Sequence, residues 1–360
     1  MPISAVDTIG LAFQHTKQQL IQPFRFGQWV RLAVVGLLAG EMGSGGSLRL
    51  PSSFNPSHQT PSHHLLAQGF PKIDPVLLGL LIAMLVVIAL VFVIVMLYVS
   101  SVMRFILFDS VLRKECHIRE GWNRRQGPGW NYFLWQLGFT FVTIAVGAVV
   151  LGVPAAFAWA MGWFGQPRQH LAPLIVGGVL LFFVALAFFI AVAVIHVFTK
   201  DFVVPQMALE GIGPIEGWRR LWPMIQADNG SYAGYAGMKI VLAIGAGIVV
   251  GILTVILAVI LAIPTVAVAI AAVLTGKSAG LGWNVFTITA AVVAGCIVFA
   301  IFMFLIALIS VPVIVFFPAY AIYFFAARYR TLSMVLYPMA VTVSPPPPES
   351  PPFPNAPAPA

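Results

Sequence analysis

Between Lys277 and Arg328 the chain reads SAGLGWNVFTITAAVVAGCIVFAIFMFLIALISVPVIVFFPAYAIYFFAA (residues 278–327), fifty residues without one Asp, Glu, Lys or Arg. A hydrocarbon core about 30 Å thick is crossed by roughly 20 apolar residues rising 1.5 Å each. This run is therefore long enough to cross a bilayer and continue beyond it. It is continuously apolar rather than alternating, which selects a helix over a barrel strand. Four further charge-free gaps lie at 75–103, 126–167, 169–199 and 240–276, and each can hold a span.

The rest of the composition agrees. Hydrophobic residues make up 60% of the 360-residue chain and charged residues only 8%, against about 25% in soluble domains. The mean hydropathy is +0.97. These values exclude a water-exposed globule and predict an all-α, polytopic membrane helix bundle. Six spans are expected, at residues 26–40, 75–99, 132–159, 171–197, 239–259 and 285–307. Residues 1–25 precede them as an amphipathic interfacial segment, with Ile9, Phe13, Leu20 and Phe24 roughly on one side. The membrane domain is expected to extend over 26–335. Residues 336–360 contain the run Pro345–Pro348 and are expected to form a disordered Pro-rich tail. No cleavable leader is visible in the first 25 residues, which lack an apolar core segment.

Lys and Arg fall unevenly between the two sides. The N-terminal segment, the loops after the second and fourth spans and the C-terminal segment hold fifteen, and the other side holds four: Arg49, Lys72, Arg168 and Lys277. The positive-inside rule places both termini in the cytoplasm of an inner-membrane protein. The net charge of +8 is spread over separate loops, so it marks topology and gives no nucleic-acid footprint. Cys116 in a basic loop and Cys296 in mid-span point to neither a disulfide framework nor a metal site.

Two basic-side loops share a pattern. Ile118-Arg119-Glu120-Gly121-Trp122-Asn123-Arg124-Arg125 parallels Pro214-Ile215-Glu216-Gly217-Trp218-Arg219-Arg220 at an offset of 96 residues. Each follows a long apolar helix and precedes one expected to break at proline, Pro154 in the first unit and Pro264 in the second. The units span about 75–160 and 171–275, with 283–330 as a partial third. Parallel repeats of this kind are related by an axis along the membrane normal.

Three stretches, Gln22-Pro23-Phe24 with Trp29, Phe202-Val203-Val204-Pro205 with Glu216-Gly217-Trp218, and Pro312 with Phe325-Ala326-Ala327-Arg328-Tyr329, carry a family resemblance. The chain resembles a six-helix membrane-domain superfamily that includes the integral-membrane part of glycerophosphodiester phosphodiesterases and related uncharacterised bacterial and archaeal proteins. The resemblance extends to about residue 330 and rests on short apolar motifs. It implies a six-helix membrane module. The soluble catalytic barrel of those phosphodiesterases has no counterpart here, so the resemblance does not carry hydrolysis over.

Candidate sites come from polar residues in an apolar chain. Trp122, Arg124, Arg125, Trp218, Arg219 and Arg220 could hold anionic lipid headgroups, the arginines forking onto phosphate. The alternative is structural: a Glu near a helix start, a Gly at a turn and a Trp in the interfacial belt. Asp109, Lys200, Asp201 and Glu210 lie near the ends of long helices, where ionisable groups are functional candidates. Arg104 with Asp109 and Lys200 with Asp201 are the local pairings that would instead satisfy them. His196 stands alone in an apolar run, as a packing residue or a proton relay, and Pro205 interrupts the same helix. His58, His63 and His64 lack a nearby acidic or thiol partner, which argues against chelation. No nucleophile elbow, zinc-protease motif or Walker lysine occurs.

The expectation is a non-enzymatic membrane module for lipid binding, envelope organisation or partner scaffolding, with no cofactor or metal. Its expected partners are membrane lipids, with a protein partner or a second copy of the chain as further candidates, and no nucleic acid. The alternative is a secondary transporter or channel for a small solute or lipid, which the proline-interrupted repeats suit.

Overall fold

The computed structural model describes residues 4–41, 75–163, 165, 169–278 and 285–337. Every regular element among them is helical: α1 (Asp7–Ile21), α2 (Phe26–Leu38), α3 (Pro75–Arg113), α4 (Ile118–Ala160), α5 (Leu171–Phe198), α6 (Val204–Glu210), α7 (Pro214–Ala227), α8 (Asn229–Ser278), α9 (Val285–Ala326) and α10 (Arg330–Leu336). A single π-helical turn, Thr199–Val203, joins α5 to α6. The histidines at 58, 63 and 64 and the Pro-rich tail lie outside the described residues.

Among the described residues five helices are long and apolar enough to cross a membrane: α3, α4, α5 with α6, α8 and α9. The most apolar stretch of four of the five has no residue buried inside the protein. In α3 every residue from 76 to 96 is exposed. At 1.5 Å per residue this run is about 31 Å long, the thickness of a hydrocarbon core. Apolar surface of this extent is stable in lipid and not in water, and the chain is a membrane-embedded protein. The sixth apolar helix, α2, has 13 residues. It rises about 20 Å, shorter than the other five, and is the counterpart of the first of the six expected spans.

The five helices stand as arms on a packed base. Apart from Ala158 near the far end of α4, their buried residues gather towards one end of each: Val102–Val111 in α3, Tyr132 and Phe133 in α4, Phe198–Ala208 from α5 into α6, Tyr232 and Tyr235 in α8 and Val311–Ala326 in α9. The base is aromatic. Tyr235 stacks on Tyr320 with ring centroids 5.1 Å apart, and Phe202 lies 5.2 Å from Phe325. The short helices complete it. The stripe Thr8, Ala12, His15 and Gln19 repeats at helical spacing and buries one face of α1. His15 Nε2 lies 2.8 Å from the Val111 carbonyl, and Gln19 donates to the Ser110 carbonyl at 2.9 Å. Phe13 and Phe24 remain exposed while Leu20 is buried, so the packed face of α1 is small and polar along most of its length and ends in a leucine.

Proline breaks the long helices less than expected. α4 runs unbroken through Pro154 and α8 through Pro264. One lost backbone donor does not by itself end a helix at membrane depth. Pro205 follows the π turn. It has no N–H to give the carbonyl four residues back, at Asp201, and its ring crowds that carbonyl, so the backbone widens there. The helix then stops at Gly211, whose φ of +69° is left-handed.

Candidate functional site

The widened turn sets Lys200 and Asp201 at the junction of arms and base, where a buried charge cluster forms. Glu41, just past α2, pairs with Lys200 and lies 3.9 Å from Arg104 of α3. Arg104 also meets the Tyr132 hydroxyl of α4 and donates to the Ala39 carbonyl at 3.2 Å. Asp201 accepts from the Tyr235 hydroxyl at 2.9 Å and pairs with Lys239, both on α8. Glu41, Asp201, Arg104 and Lys239 are respectively 2%, 4%, 8% and 8% exposed. Isolated charges at such burial would be untenable; here each has an opposite charge beside it.

Three cations therefore meet two carboxylates, leaving one surplus positive charge among the described residues. The Arg104 Nε–H has no hydrogen-bond acceptor among them. Beside the cluster a cavity of about 430 Å³ opens between α5 and α8. Arg104, His196, Lys200 and Lys239 form its polar end, and Ile190, Val194, Val197, Phe198 and Ile240 are among its apolar walls. Pro205 borders a smaller void of about 30 Å³ on the other side of Lys200 and Asp201. The arrangement can accept one anionic group at the polar end while burying a hydrocarbon portion along α5 and α8.

The local pairings expected from sequence do not form. Arg104 turns to Glu41 rather than Asp109, and Lys200 to Glu41 rather than Asp201. Asp109 is taken by Arg125, whose Nε and Nη2 fork onto its two oxygens at 2.7 Å each, while Nη1 donates to the Ala208 carbonyl at 2.6 Å. That fork ties α4 to α3 and α6.

The other loop arginines are also engaged by carboxylates of the chain. Arg124 reaches Glu120 at 3.2 Å, Arg219 reaches Glu216 at 2.7 Å, and Arg220 holds Glu216 and Glu210. Hydrogen bonding from Arg220, joined by the charge of Arg219, holds the Glu216 carboxyl below the usual carboxylate range. Glu210 also accepts from the Tyr329 and Thr331 hydroxyls, fastening α10 to α6. Trp122 packs edge-on against Tyr98 at 6.1 Å, and Trp218 donates to the Thr199 hydroxyl at 3.0 Å, bracing the π turn. Arg125, Arg220, Trp122 and Trp218 tie one element of the base to another, whereas Arg124 and Arg219 pair within their own helices. Sequence reasoning singled out Lys200, Asp201, Pro205 and His196; it passed over Glu41, Arg104 and Lys239 as components of one cluster.

A family of unknown function, DUF7544, matches residues 3–335. The chain belongs to that family. The match takes in the whole base, the five arms and every residue of the charge cluster. No curated protein and no solved structure matches the chain.

Proposed function

We propose that this protein is a non-catalytic module of the inner membrane that holds an anionic amphiphile, a lipid headgroup above all, in the cavity between α5 and α8. Both termini are assigned to the cytoplasm by the Lys and Arg distribution. The observation that carries the reading is the cavity itself: Arg104, Lys200 and Lys239 at one end, paired with only two carboxylates in the adjoining cluster, and apolar walls along the rest. A single anion neutralises the surplus charge, and the walls favour a ligand with a hydrocarbon portion. Arg124, Arg125, Arg219 and Arg220 each pair with a carboxylate of the chain, which makes the cavity the better place for a headgroup.

The test is mass spectrometry of lipids retained by the full chain after extraction into neutral nanodiscs. The comparison is Ala193→Trp, which fills the cavity from the α5 wall without touching a charge. Retention of an anionic lipid by the parent and its loss from the variant, at equal thermal stability, is the expected result. Equal retention by both would remove the cavity from the account.

The π turn at Lys200 and Asp201 favours a second reading. Such turns recur at functional sites, and a widened turn beside a charged cavity suits a secondary transporter. Solute uptake in vesicles that collapses in Pro205→Ala, with expression unchanged, would favour transport over holding.

A further inference from the structure

Arginines divide by partner in this protein. Arg104, Arg124, Arg125, Arg219, Arg220 and Arg328 each face a carboxylate. Arg25, Arg31 and Arg119 have no ion pair among the described residues, and Arg31 only donates to the Cys116 carbonyl, at 3.3 Å. These three come together where α2 and α4 begin. Arg25 and Arg31 line a recess of about 280 Å³, and Arg31 and Arg119 line an adjoining one of about 600 Å³. The two recesses share Arg31 and His117 and form one open groove.

Carboxylates on its rim do not balance these charges. Glu120 is engaged by Arg124, which leaves Glu115 against three guanidinium groups. Gathering like charges costs free energy unless an anion joins them. Guanidinium groups present planar forks that match phosphate oxygens two at a time. α2 starts with neither an acidic residue in its first turn nor a side-chain cap, so its positive end adds to the field. Phe24 and Phe26, each 61% exposed, flank Arg25. The groove lies beyond the far end of α3 from the α5/α8 cavity. Arg104 is nine residues from the end of that helix at Arg113, about 13 Å along its axis.

We propose that this groove is a second, separate anion site that binds a phosphate group, presented by a lipid headgroup at the membrane surface or by a soluble phosphate ester. Arg25 and Arg119 grip it from the two sides, and Arg31 forms the floor they share.

The test uses the full chain in phosphatidylcholine nanodiscs, with and without phosphatidic acid, titrated calorimetrically with inorganic pyrophosphate. The triple variant Arg25→Gln, Arg31→Gln, Arg119→Gln is compared with the parent. All three side chains are exposed, so the fold is retained, which an unchanged melting temperature checks. Arg330→Gln, at an exposed arginine outside the groove, is the control. Pyrophosphate binding in neutral discs that weakens at least about tenfold in the triple variant supports the site. Insensitivity of that binding to phosphatidic acid marks a soluble ligand. Phosphatidic acid retained by the parent, lost from the triple variant and displacing pyrophosphate marks a lipid ligand. Equal binding by parent and triple variant, or no binding of either probe, overturns the proposal. Ala193→Trp should leave groove binding unchanged, so failure here and failure at the α5/α8 cavity are read separately.

Discussion

Replacing Asp201 with Asn tests the buried charge cluster most sharply. Asn keeps the shape and an acceptor for the Tyr235 hydroxyl, but removes the charge that Lys239 faces. Both residues are under 9% exposed, so water compensates little. Opposite charges within about 4 Å attract by about 4 kcal/mol at an effective dielectric near 20. Breaking a buried pair by removing one partner costs about 3–5 kcal/mol, because the survivor stays desolvated. We expect Asp201→Asn to destabilise by that amount. Lys239→Met, which keeps the packing length, should cost a comparable amount by stranding Asp201. The double variant should be more stable than either single one, since removing both charges is often near neutral. The assay is equilibrium unfolding in mixed micelles titrated with sodium dodecyl sulfate, arranged as a double-mutant cycle. A cost below about 1 kcal/mol for Asp201→Asn, or a double variant as unstable as the sum of the singles, would refute the pairing.

Three further predictions follow from the base. Arg125→Gln breaks a fork onto Asp109 and a bond to Ala208, both largely shielded, and should cost about 2–4 kcal/mol; Arg124→Gln, whose pair with Glu120 is 45% and 66% exposed, should cost under about 0.5 kcal/mol by the same unfolding assay. Burial lowers the affinity of His15 for a proton in the folded state. The unfolded chain therefore binds more protons below the ordinary histidine value of about 6.5, and stability should fall as pH drops through that value. A pH series of unfolding midpoints checks this, and His15→Gln should flatten it. A Cβ on Gly217 would sit 2.7 Å from Val203 Cγ1, whereas one on Gly177 meets nothing within 4 Å. Gly217→Ala should therefore destabilise by about 1–3 kcal/mol, and Gly177→Ala should be neutral or slightly stabilising by thermal melting.

The membrane helices were legible because their signal is local and repeated over twenty residues or more. Charge-free gaps located all five arms, and the apolar run after Lys277, long enough for two spans, is one helix, Val285–Ala326. Pro205 and the flanking Lys200 and Asp201 were legible too, since a proline and two charges in an apolar helix stand out without knowledge of partners. What the sequence could not supply was pairing. Glu41 meets Lys200 across 159 positions, and Asp201 meets Lys239 across 38. Nearest-neighbour reasoning chose Asp109 for Arg104 and Asp201 for Lys200, because nothing in a linear chain reports which helix ends converge. Glu41 carried a faint signal, as the first acid after an apolar helix, but it opens a polar stretch and looked like part of a loop. The loop arginines show the same limit: two conspicuous Glu-Gly-Trp motifs suggested headgroup contacts, and the carboxylates that pair with those arginines lie three to sixteen residues away along the chain.

The most direct test of the central claim is site mapping with a photoactivatable anionic lipid. The probe carries its reactive group near the head and is incorporated into nanodiscs with the full chain. Labelling is read by peptide mass spectrometry. An anionic amphiphile held beside Arg104, Lys200 and Lys239 should label the peptides around residues 190–200 and 236–243, and Ala193→Trp should abolish that labelling. Label spread evenly along the lipid-exposed arms, with no excess at those two segments, would contradict it.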